Sequence, residues 1–131
     1  MYKVVWITKF RKGEDREEMQ RRWLEVHGPL VLATPGLLRY VQNHWEDTNP
    51  WSGAEGDDEV AFDGHAEAWF ESEQAFLAAM ATDEFQVAIA DVPEGFDPTS
   101  LVSGVLTEYV MKWDALPDGR PIRTSAPDRA A

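Results

Sequence analysis

The stretch Tyr2-Lys-Val-Val-Trp-Ile-Thr-Lys-Phe10 constrains the fold most. It is β-branched and aromatic, as strands prefer. It is also apolar on both sides, with Tyr2, Val4 and Trp6 alternating against Val5 and Ile7. An antiparallel strand with one face in water alternates apolar with polar. This one does not, so its sheet is expected to be covered on both faces. Gly104 to Trp113 repeats the pattern, setting Tyr109, Met111 and Trp113 against Leu106 and Val110.

Between these strands the apolar spacing switches between two periods. Gly13-Glu14-Asp15 opens an acidic helical turn, which suits the positive end of a helix. Met19, Trp23, Val26, His27 and Leu30 then share one helical face. Gly28-Pro29 is expected to interrupt this helix, since proline lacks the N–H and restricts its predecessor. A last turn over Leu30–Ala33 precedes Pro35-Gly36. A second strand is read over 37–45, an acidic loop over 46–59 and a third strand over 60–70. Ser72 is an N-cap, with Glu73 in the first turn. The helix behind it is read as two segments split near Thr82-Asp83. Pro93 to Pro98 reads as a turn. The order β-α-β-β-α-β implies an α+β, ferredoxin-like domain over 1–113, both helices on one face of a four-stranded antiparallel sheet. Residues 114–131 read as a loose tail rich in proline and charge. The other sheet face then needs a cover, and a second copy of the chain, sheet to sheet, is the simplest one.

Composition closes several routes. With 12 basic and 24 acidic residues the net charge is −12. Such a field repels phosphate backbones, so no nucleic-acid partner is expected. No apolar run approaches the roughly 18 residues of a membrane span, so no membrane partner is expected either. The N-terminal stretch lacks a signal-peptide pattern, and a cytoplasmic location follows as the default expectation. Cysteine is absent, which removes disulfides and thiolate chemistry. No His pair has the i, i+4 spacing of metal ligands, and no phosphate loop or dinucleotide fingerprint occurs, so neither metal nor cofactor is expected.

Three histidines carry the candidate chemistry. His27 lies on the apolar stripe one turn beyond Trp23, beside Gly28-Pro29. A neutral imidazole there can serve as general acid or base; the plain alternative is a core histidine bonded to a carbonyl. His44 ends the second strand, where Tyr40, Gln42 and His44 alternate with Arg39, Val41, Asn43 and Trp45. The pattern is compatible with either set facing the helices. His65 shares a strand face with Glu67 and Trp69. A carboxylate on a doubly covered sheet needs a partner, which points to a cation such as Lys3 or Arg39.

His27-Gly28-Pro29-Leu30, Pro35-Gly36-Leu37, Tyr40-Val-Gln-Asn-His44, Asp63-Gly64 and Glu67-Ala-Trp-Phe-Glu-Ser72 together resemble the EthD family of the dimeric α+β barrel superfamily. The resemblance covers about residues 2–113. It implies a ferredoxin-like domain paired through its sheets, and a pocket between sheet and helices. Relatives of that superfamily include muconolactone isomerases, polyketide cyclases and dehydratases, and small monooxygenases. The family's helix histidine maps onto His27 and its strand-end pair onto Asn43-His44. The expected function is a cofactor-independent lyase, isomerase or cyclase acting on a hydrophobic aromatic, lactone or polyketide-like molecule. His27 and His44 would be catalytic, with Tyr40, Asn43, Trp6, Trp23, His65, Glu67 and Trp69 around the substrate. The rival readings are a small cofactor-free or haem-linked monooxygenase and a non-catalytic ligand-binding protein.

Overall fold

The computed structural model describes residues 1–46, 62–112 and 122–125, the last as backbone. Strands β1 (Tyr2–Thr8), β2 (Arg39–His44), β3 (Gly64–Phe70) and β4 (Val102–Leu106) form one sheet in the order β2-β3-β1-β4. Every neighbouring pair is antiparallel. Helical segments α1 (Arg16–Arg22) and α2 (Gly28–Leu32) connect β1 to β2, and α3 (Glu73–Met80) and α4 (Asp83–Gly95) connect β3 to β4. This is the ferredoxin-like plan that the element order implied. Among the described residues no helix is long and apolar enough to cross a membrane.

The register sorts the sheet residues into two faces. Toward the helices run the rows Tyr40–Ala68–Val4–Val105 and Gln42–Ala66–Trp6–Ser103, with His44 and Thr8 flanking Gly64. The opposite face carries Arg39–Trp69–Lys3–Leu106, Val41–Glu67–Val5–Gly104 and Asn43–His65–Ile7–Val102. Two apolar clusters hold the helices down: Tyr2, Val4, Ala68, Phe70 and Ala79 in one, and Phe10, Met19, Trp23, Ala66 and Phe96 in the other. Asp15, Ser72 and Thr82 cap α1, α3 and α4 with side-chain oxygens that accept backbone N–H bonds.

Several boundaries differ from the sequence reading. Gly28-Pro29 does not interrupt the first helix. Trp23–His27 forms a π-type turn in which the Gly28 N–H reaches back to the Trp23 carbonyl. That extra residue restarts the helix with Pro29 in the first turn of α2, where its missing N–H costs nothing. Pro93 is likewise inside α4, close enough to its end to be tolerated. β1 stops at Thr8, and Phe10 makes only an isolated bridge to Phe96. The last strand breaks after Leu106. Beyond Thr107 the chain leaves the sheet, and β5 (Glu108–Val110) pairs with β6 (Ile122–Ser125) as a separate two-stranded ribbon. Four residues read as loose tail are therefore a strand. The acidic loop, apart from Glu46, lies outside the described residues, as do Trp113 and the rest of the tail.

The predicted partner of Glu67 is present. Lys3, only 4% exposed, places Nζ 3.2 Å from Glu67 and 2.6 Å from Glu108. Lys3 and Arg39 also lie over the Trp69 ring, at 4.6 and 4.5 Å from its centroid. These contacts keep a buried charge paired and put Trp69 under two cations.

Candidate active site

The helix-facing side of β3 is built from Gly64, Ala66, Ala68 and Phe70. Small residues at the centre of a sheet leave room beneath the helices, and the π-turn fills part of it with Trp23. Gly64 is required for that fit. A Cβ there would stand 2.5 Å from the Asn43 carbonyl oxygen and 2.6 Å from the Trp23 ring. Trp23 then stacks flat on His44, with centroids 4.2 Å apart and planes at 16°.

Over Ala66 the space stays open. The cavity holds about 640 Å³, part of it open to solvent. Its walls are mainly Trp6, Trp23, Phe85, Ile89, Val92 and Phe96, and its polar members are Thr8, His27 and Tyr40. His27 comes from the π-turn and is buried. Its Nδ1 is 3.0 Å from Asp91 Oδ2 on α4, and Arg22 holds the same carboxylate through two bonds of 2.5 and 3.0 Å.

The electrostatics fix the histidine's proton. Arg22 and then His27 hold the Asp91 carboxyl below its ordinary value, so it is ionised and can only accept. The proton of a neutral His27 therefore sits on Nδ1, leaving Nε2 a lone pair. Among the described residues nothing hydrogen-bonds to Nε2. Burial pushes the His27 imidazole below its ordinary value; Asp91 opposes this and Arg22 adds to it. The ring is thus neutral at neutral pH. Burial raises the Tyr40 phenol and outweighs the opposing pull of Gln42 and Trp23, so it stays protonated.

Both His27 and His44 are lowered by burial, His44 against the pull of Glu46. A histidine harder to protonate folded than unfolded takes its proton preferentially in the unfolded chain. Its contribution to stability is whole above the ordinary pKa of about 6.5 and is lost as pH falls from there toward the lowered folded value. Urea unfolding is expected to show stability declining from neutral pH into the acid range, with a shallower slope for His27→Gln. An unchanged slope would mean that His27 is not titrating as argued.

Of the residues singled out in the sequence, His27, Tyr40, Trp6 and Trp23 meet at this cavity. His44 is next to it, against Trp23, and bonds Gln42 rather than His27. Asn43, His65, Glu67 and Trp69 do not meet this cavity: register places all four on the opposite sheet face. There Asn43 bonds the His65 carbonyl, and the His65 Nδ1 accepts from the Trp45 indole. Asp91 and Arg22 were not anticipated. Asp91 sits within the apolar series Phe85, Ala88, Ile89 and Val92, and a carboxylate so placed was the available signal. Among the described residues no group of His and carboxylates suits a metal ion.

Residues 11–99 match the family model of the EthD domain. No curated protein sequence is significantly similar to the chain. Solved structures share its fold. An ethyl tert-butyl ether D (EthD) family protein of Bacillus halodurans superposes with a TM-score of 0.66 at 21% identity, over 82% of this chain and 98% of its own. A dimeric ferredoxin-like protein of Thermobifida fusca gives 0.57 at 14%, over 80% and 88%. SnoaB of Streptomyces nogalater, a cofactor-independent oxygenase, gives 0.52 at 16%, over 81% and 92%. At these identities the likeness concerns the fold.

Proposed function

Because the chain belongs to the EthD family, we propose that its helix-side cavity binds an apolar, aromatic-type carbonyl compound and moves a proton on it without a cofactor. One observation carries the reading: His27 is fixed by an ionised Asp91 while its Nε2 is left unpartnered at an apolar cavity. In the proposed step Nε2 takes a proton from an acidic C–H beside the carbonyl. The electron pair moves onto the carbonyl oxygen, which accepts a hydrogen bond from the Tyr40 O–H. Asp91 stabilises the imidazolium formed, as a carboxylate partner does for a catalytic histidine. Return of the proton at another atom gives isomerisation. Attack of the enolate on a second carbonyl gives cyclisation, and loss of a leaving group gives a lyase. Trp6 and Trp23 line the cavity, so their fluorescence reports occupancy.

The test uses 2-tetralone, an aromatic ketone with acidic C–H groups beside its carbonyl. Proton NMR in deuterated buffer is expected to show exchange well above the buffer rate. Binding without exchange, seen as fluorescence quenching alone, would reduce the protein to a ligand carrier. Oxygen uptake with a readily oxidised aromatic such as an anthrone, and no exchange, would favour an oxygenase instead.

A second part of the proposal concerns the opposite sheet face. Val5, Ile7, Val41 and Leu106 remain half-buried there and Val102 is 51% exposed, which leaves an apolar band beside the Lys3 cluster. A second copy would cover it, and the ferredoxin-like protein of Thermobifida fusca is itself dimeric. Sedimentation at micromolar concentration is expected to give twice the chain mass, and Val5→Glu to give the monomer. A wild-type monomer would refute the pairing.

A further inference from the structure

The second polar group at the cavity, Tyr40, has its hydroxyl direction set by a neighbour outside the cavity. Gln42 follows Tyr40 on the helix-facing side of β2. Its Nε2 lies 3.0 Å from the Trp23 carbonyl oxygen and 3.2 Å from the Tyr40 hydroxyl. Its Oε1 is 2.9 Å from His44 Nε2. A carbonyl only accepts, so the amide nitrogen must face Trp23 and the flipped amide is excluded. The second hydrogen of that nitrogen then goes to the Tyr40 oxygen, and His44 donates to the amide oxygen. The arrangement is built for this amide. A Cβ on Gly28 would stand 3.0 Å from Nε2 and 3.2 Å from the Trp23 oxygen, so glycine at the end of the π-turn leaves the space it occupies.

We propose that Gln42 is a positioning residue that fixes the Tyr40 hydroxyl as a donor to the cavity, selecting ligands that offer an anionic or strongly accepting oxygen. The Tyr40 oxygen already receives a hydrogen bond from Gln42, so its own proton is the one left to give. Among the described residues no acceptor takes it. A carbonyl gaining negative charge during enolisation meets that requirement better than the ground-state ketone does. The assignment rests on the proton-transfer reading and adds the ligand chemistry that reading leaves open.

The test is a double-mutant cycle on binding, with 4-nitrophenolate as probe and nitrobenzene as the matched ligand lacking the anionic oxygen. Gln42→Leu is expected to weaken 4-nitrophenolate about 10-fold, because the Tyr40 hydroxyl loses its orientation and with it most of the worth of one hydrogen bond to a charged group. Nitrobenzene should change less than about twofold. In a Tyr40→Phe background the same Gln42→Leu change should cost less than about twofold for either ligand, because coupled residues are non-additive. Additive losses, or equal losses for both probes, would show that Gln42 only supports the strand. If Gln42→Leu does not fold, Gln42→Met provides the same cycle. A wild-type protein that binds neither probe would sink the cavity reading itself. Binding of both with an additive cycle would sink only the role of Gln42.

Discussion

Replacing His27 with asparagine is expected to slow exchange of 2-tetralone by about 100- to 10,000-fold, the usual contribution of a positioned general base. Asparagine is short and uncharged, and its amide can still donate to Asp91. The cavity therefore keeps its shape and its Arg22–Asp91 pair, and fluorescence quenching by the ketone should change little. The loss belongs in kcat rather than KM, because a proton is accepted only as the reaction proceeds. The pH profile adds an independent mark. Burial holds His27 below its ordinary value, so wild-type activity should persist on the acid side of neutrality and fall only as that lowered group protonates. Exchange at the wild-type rate in a folded His27→Asn protein would end the proposal, since no other unpartnered base lines the cavity among the described residues.

His27 was legible in the sequence because it shares a helical stripe with Trp23, and an imidazole among aromatic core positions stands out. What holds it was not. Asp91 is 64 residues away along the chain, and only the packing of α4 against the π-turn brings the two together. The turn itself follows from no simple periodicity, since a single inserted residue shifts the stripe without breaking it. The order of strands and helices along the chain was legible, as was the pairing of Glu67 with a cation. The sheet's sidedness was not, because both faces of β1 are apolar. The discriminating signal lay in β3, where Gly64, Ala66 and Ala68 form a face of small residues that only bulky helix side chains can complete. His65, Glu67 and Trp69 consequently fall on the other face, where they serve the sheet. The break at Thr107 was also hidden, since the residues on both sides of it carry strand-like side chains.

Trp23→Ala is expected to cost about 3–5 kcal/mol of stability, the range for removing a large buried aromatic. Trp23 is 3% exposed and serves four neighbours at once. It stacks on His44, meets Phe10 and Phe96 edge-on at 6.2 and 5.5 Å, and covers the backbone at Gly64. No nearby side chain can fill the void, because the β3 positions beneath it are small. Domains of this size are held by roughly 5–15 kcal/mol, so the variant would sit near the edge of folding. In urea the midpoint should fall with an unchanged slope. A loss below about 1 kcal/mol would mean that the site collapses around the deletion. Trp23→Phe separates stability from function. It restores much of the packing, yet it trims the aromatic wall of the cavity, so stability should recover further than 2-tetralone exchange does. That outcome follows from placing one ring where the core and the cavity wall meet.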